Sequence, residues 1–73
     1  MKQNKGKKSV AEKIAELGRF LDIPRTAEEI KKEIKDKKGN NIPLQDIRVN
    51  LLYLLRREKL KRKKEGNFYR YHN

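Results

Sequence analysis

The chain has no cysteine and no tryptophan, one methionine, two prolines and a single histidine. Each shortage closes off a class of protein. Without cysteine there is no disulfide framework and no thiolate metal site to staple so short a chain. His72 stands alone near the end of the sequence, where a lone histidine is inert. No Ser-His-Asp set, metal-ligand cluster or phosphate-binding loop is present, and Asp46 with Arg48 is a local helix pair. An enzyme is therefore not expected, nor a cofactor, a metal or a small-molecule ligand. Apolar runs are also short, and none approaches the ~20 residues of a membrane span. Met1 is followed by Lys2 and Gln3 rather than by an apolar segment, so no signal peptide is expected and the protein reads as cytoplasmic. With only 34% hydrophobic residues in 73, one small domain with a compact core is expected.

What the chain has in excess is positive charge, a net +11. Self-repulsion of that size opposes compaction unless a negative partner offsets it. Nucleic acid fits best. A ribosome-associated role, an anionic membrane surface and a lysine-rich surface of the heat-adapted kind are the other readings. The charge is unevenly spread: residues 1–8 carry +4, 9–22 carry −1, 23–41 carry +2, 42–57 carry +2 and 58–73 carry +4. Concentration at the two ends marks an interaction surface.

Residues 1–8 (MKQNKGKK) lack periodicity and read as a disordered basic arm, either a source of phosphate or minor-groove contacts or a solubilising tail. Residues 9–73 form the domain. Ser9 and Glu12 make an S-x-x-E capping box for a first helix. Val10, Ile14, Leu17 and Leu21 recur at helical spacing, flanked by Ala11, Gly18 and Phe20, and the helix is expected to end near Asp22 because Ile23 precedes Pro24. Thr26 and Glu29 make a second capping box. The helix it opens buries a narrow stripe of Ala27, Ile30 and Ile34 and stops at Gly39 in a left-handed cap. Its N-terminus could meet a phosphate, but Glu28 and Glu29 count against an anion there. Ile23 and Ile42 are the two candidates for a short strand or core anchor between helices.

Pro43 suits the first turn of a third helix running to about Glu58. Leu44, Ile47, Leu51, Leu54 and Leu55 fall on its core side, with Leu52 on the flank. The opposite side carries Gln45, Asp46, Val49, Asn50, Tyr53, Arg56 and Arg57, with Arg48 at the border. An ordinary solvated face would mix Lys and Glu, whereas this helix has no lysine and one acid between Pro43 and Arg57. Gln and Asn can bond adenine bidentately, Arg can bond guanine, and Val can touch a thymine methyl. The N-terminal part of such a helix meets base edges, so Gln45, Arg48, Val49 and Asn50 are the base-contact candidates. Tyr53, Arg56 and Arg57 are backbone candidates. Val49 and Tyr53 also suit a protein interface.

Residues 60–71 read as two strands joined by a two-residue turn, at Gly66-Asn67 or Glu65-Gly66. Either turn puts Leu60, Tyr69 and Tyr71 on one face, closing the core, and Lys61, Lys63, Phe68 and Arg70 on the other. Like charges opposed across a hairpin are unfavourable, and a polyanion would relieve that cost. Lys61, Lys63 and Arg70 are therefore further backbone-contact candidates. Phe68 near the tip could wedge into a minor groove or pack on lysine stems.

Taken together, TAEEIKKEIKDKKG, IPLQDIRVNLLYLLRREKL and KRKKEGNFYRY resemble the second helix, recognition helix and wing of the winged helix-turn-helix superfamily, especially its small archaeal, bacterial and viral transcription regulators. The resemblance implies a mainly α fold, three helices with a small β-hairpin. It also implies double-stranded DNA as partner, with the third helix in the major groove and the hairpin on the adjacent backbone, and a homodimer on a palindromic site as one assembly. Transcription regulation at the nucleoid is the implied role. Winged helices also bind RNA and proteins, and both stand as alternatives.

Overall fold

The computed structural model describes residues 9–73, so the arm expected at residues 1–8 lies outside the described residues. Among the described residues the order is α1 (Val10–Ala15), a 3-10 turn (Gly18–Asp22), α2 (Ala27–Lys38), α3 (Leu44–Arg56), β1 (Lys61–Glu65) and β2 (Phe68–His72). This is the expected mainly α fold with a small β-hairpin.

Both capping boxes form. The Glu12 N–H donates to Ser9 Oγ at 3.1 Å and the Ser9 N–H to Glu12 Oε1 at 3.0 Å. Glu29 N–H and Thr26 N–H repeat the exchange at 3.2 and 2.9 Å. Each box satisfies backbone donors that a helix start leaves without partners. The first helix is shorter than its apolar periodicity suggests. Gly18 takes φ +55°, a conformation that is nearly free for glycine and ends α-helical bonding. Around this break the bonds shift from i−4 to i−3, with Leu17 N–H donating to Ile14 O and Phe20 N–H to Leu17 O. The stripe survives in 3-10 form, so Ile14 and Leu21 are still fully buried. α2 ends as expected, with Gly39 at φ +72° and its N–H on Lys35 O.

The core joins Ala11, Ile14 and Leu21 to Ala27, Ile30 and Ile34 of α2 and to Ile47, Leu51 and Leu54 of α3. Ile42 anchors the α2–α3 connection inside it, whereas Ile23 is 60% exposed. The short strand between the first two helices is one residue pair, Arg25 bridged to Tyr71. Leu60 and Tyr71 close the core from the hairpin, but Tyr69, expected beside them, is 39% exposed. It shares their face by alternation but opens onto a groove beside the helices rather than into the core.

α3 ends two residues before the expected Glu58. Glu58 itself adopts φ +59°, and the N–H groups of Glu58 and Lys59 donate to Leu55 O at 3.0 Å and Leu54 O at 2.9 Å. That pairing is a Schellman cap with glutamate in the position glycine prefers. In the hairpin, Gly66-Asn67 is the two-residue turn, with Gly66 at φ +62°. Lys61 pairs with His72, Arg62 with Tyr71, Lys63 with Arg70, Lys64 with Tyr69 and Glu65 with Phe68, which is the expected division of faces.

Glu58→Gly is expected to raise unfolding stability by roughly 1 kcal/mol, by removing a Cβ from the left-handed region. Leu51→Ala, at a fully buried site, is expected to lower it by about 2–5 kcal/mol. Urea unfolding followed by circular dichroism reads both.

Candidate nucleic-acid interface

α3 is amphipathic because one side must meet α1 and α2. The side left over carries Gln45, Val49, Leu52 and Arg56 at spacings of four, three and four, all exposed. Leu52, expected on the flank of the core, is 42% exposed, so the centre of the free face is more apolar than expected. Tyr53 lies beside this stripe with Arg57 over its ring at 4.8 Å. Arg57 is the C-cap residue of the helix.

Two of the base-contact candidates are engaged within the chain. Asn50 Nδ2 donates to Asp46 O at 2.8 Å, turning the amide back onto its own helix. Arg48 reaches Glu28 at the start of α2 at 3.5 Å, with both side chains more than half exposed. So open a pair is readily exchanged. Gln45 and Val49 project into solvent.

The hairpin holds its charge in two ways. Arg70 is partnered: its guanidinium bonds the Glu65 carboxylate, and its Nη1 lies 3.2 Å from Glu29 Oε1. The expected repulsion between Lys63 and Arg70 is thus relieved inside the molecule, and a polyanion is not needed for that purpose. Glu29 caps α2 and holds Arg70 with the same oxygen. By contrast, Lys61, Lys63 and Lys64 are exposed and have no ion-pair partner among the described residues. Arg62 lies over the Tyr69 ring at 4.0 Å, also without a carboxylate.

Strand alternation puts Arg62 and Lys64 on the face shared with Leu60, Tyr69 and Tyr71. Arg62, Tyr69 and Tyr71 line a groove between hairpin and helices, together with Arg48 and Leu52 of α3. Lys61 and Lys63 belong to the opposite face. Sequence reasoning left out Arg62, Lys64 and Leu52. For the two cations the signal was available in the same period-two pattern that placed Lys61 and Lys63. For Leu52 it was not, because the width of the buried stripe depends on how α2 packs.

Hydrogen bonding from Arg70, reinforced by its charge, holds the Glu65 carboxyl below its ordinary range, and the same contact pushes Arg70 up. Among the described residues, no group of three His, Cys, Asp or Glu side chains could hold a metal ion, and no helix is long and apolar enough to cross a membrane. In comparisons with known proteins, no family model, no curated protein and no solved structure matches the chain.

A carboxyl held low in the folded state contributes stability above its ordinary pKa of 4.5, and the contribution is lost as pH falls through the lowered value. An NMR titration is expected to give Glu65 a midpoint below 4.5, and Arg70→Gln is expected to raise it towards the ordinary value. An unmoved midpoint in that variant would count against the pairing.

Proposed function

We propose that the chain is a winged helix-turn-helix domain that binds double-stranded DNA, with the exposed face of α3 in the major groove and the hairpin along the adjacent backbone. The observation that carries this reading is the run Lys61-Arg62-Lys63-Lys64. Its four cations project from both faces of β1, beside α3, with no carboxylate partner among the described residues. A strand bearing four unneutralised cations is costly to hold in isolation and is stabilised by a polyanion along its length. The connectivity supports the same reading, since the Arg25 bridge gives the hairpin a third paired segment beside β2.

Gln45 and Val49 on the first turns of α3 are the base-edge contacts of this proposal, with Arg48 joining them by leaving Glu28 and Asn50 by leaving Asp46 O. Tyr53, Arg56, Arg57, Lys61 and Lys63 contact phosphates, and Arg62 and Lys64 are added to them. Arg70 becomes chiefly a positioning residue that ties the hairpin to α2, although its partly exposed edge can still meet a phosphate. Such a domain would serve transcription regulation at the nucleoid, in the cytoplasm. The exposed Val49, Leu52 and Tyr53 favour a second reading, a protein-interaction module. Structured RNA as the polyanion is separable by competition against duplex DNA.

Every cation removed from a phosphate flattens the slope of log affinity against log salt by about 0.9. Replacing Lys61, Lys63 and Lys64 together by Ala is therefore expected to weaken binding to all duplexes alike and flatten the slope by roughly 2–3. Gln45→Ala or Arg48→Ala is expected to relax sequence preference, by ~1–3 kcal/mol for each base no longer read. Unchanged duplex affinity in the triple lysine variant, measured by fluorescence anisotropy across salt, would sink the assignment of the hairpin.

A further inference from the structure

We propose that the groove between α3 and the hairpin takes unpaired bases, so that the preferred ligand is a duplex with a single-stranded extension. This rests on the DNA-binding reading and narrows its substrate class. Phe68 and Tyr69 follow the hairpin turn directly and are 47% and 39% exposed. Successive strand residues point to opposite faces, and each ring has its own arginine over it, Arg70 at 5.3 Å from Phe68 and Arg62 at 4.0 Å from Tyr69, yet both stay substantially exposed. Tyr69 faces a groove of about 340 Å³ that Ala27, Leu52, Phe68 and Tyr71 also line, with Glu28, Arg48 and Arg62 beside them. The groove thus sets flat apolar side chains next to two guanidinium groups, Arg48 paired with Glu28 of the same lining and Arg62 with no carboxylate partner among the described residues.

That combination matches a nucleotide, whose base offers a π-face and whose phosphate offers negative charge. An intact duplex does not present this chemistry. Its base faces are stacked on one another, leaving only edges and phosphates to an approaching protein. Faces become available at an end or where the strands part. A second copy of the chain is a poor occupant, because it brings the same +11 to a surface already rich in arginine and lysine. A polyanion is drawn to it.

The test uses the full chain and three fluorescent DNAs built on one duplex: blunt, with a short thymidine tail, and with an equally long tail of abasic residues. The abasic tail supplies the same phosphates without base faces. The thymidine tail is expected to bind tighter than the abasic tail by roughly tenfold per stacked base. Tyr69→Ala is expected to abolish that difference, the variant's own blunt-duplex affinity serving as the reference for both tails, and Phe68→Ala to reduce it. Both positions are exposed, and thermal melts of the variants verify that they fold. Equal affinity for the two tails, with blunt duplex still bound, overturns this inference and leaves the duplex-binding reading standing. So does a thymidine preference that survives Tyr69→Ala. Failure to bind any of the three DNAs overturns both readings.

Discussion

The surface shared by α3 and the hairpin depends on one pair of backbone hydrogen bonds. Arg25 N–H donates to Tyr71 O at 2.9 Å, and Tyr71 N–H donates back to Arg25 O at 2.7 Å. A two-stranded hairpin is marginal by itself in water, and this one carries five cations on ten strand residues. The Arg25 bridge joins it to the segment that leads into α2. The bridge is supported on every side: Tyr71 is buried, Arg70 reaches Glu29, and Arg25 Nε donates to Phe20 O at 2.9 Å with its guanidinium over the Phe20 ring. Asn73 completes the clasp through Leu21 O, Gly18 O and Asp22. The orientation of β1 relative to α3 follows from this cluster, and with it the groove between them.

The same contacts sort the charge. Three glutamates pair with two arginines: Glu28 with Arg48, and Glu29 and Glu65 with Arg70. Among the described residues no acid is paired with the lysines of β1. Neutralisation therefore falls on contacts within the fold, between α2 and α3, across the hairpin and between the hairpin and α2, and positive charge remains on the exposed lysines of β1. That separation between cations that fasten the fold and cations left for a partner is the physical content of the functional proposal. Composition alone, a bare +11, could not make it.

Local devices were legible in the sequence. Ser9 with Glu12 and Thr26 with Glu29 are complete within four residues, Gly39 and Gly66 mark the left-handed positions they occupy, and period two fixed the hairpin faces. What escaped was set by longer-range packing or by competition between local signals. Gly18 sits inside an unbroken apolar stripe, so its sequence neighbours point to a continuing helix that it in fact ends. Glu58 occupies a left-handed cap that its residue type disfavours, held there by the burial of Leu60 just beyond. Tyr69 has the correct parity for the core but lines the open groove beside it. At the site, the exposed candidates Gln45, Val49, Arg56, Lys61 and Lys63 could be chosen by pattern. The engagement of Arg48 by Glu28, and of Arg70 by Glu29 forty-one residues away, could not, since neither pair is close in sequence.

The functional proposal requires α3 and β1 to form one continuous surface for nucleic acid. Following the backbone amide signals of the isotope-labelled chain while duplex DNA is added at near-physiological salt examines that requirement directly. Shifts are expected to concentrate in the first turns of α3, near Gln45 and Val49, and along Lys61–Lys64, with α1 unmoved. Absence of shifts, or shifts confined to α1 and the outer turns of α2, would contradict the proposal.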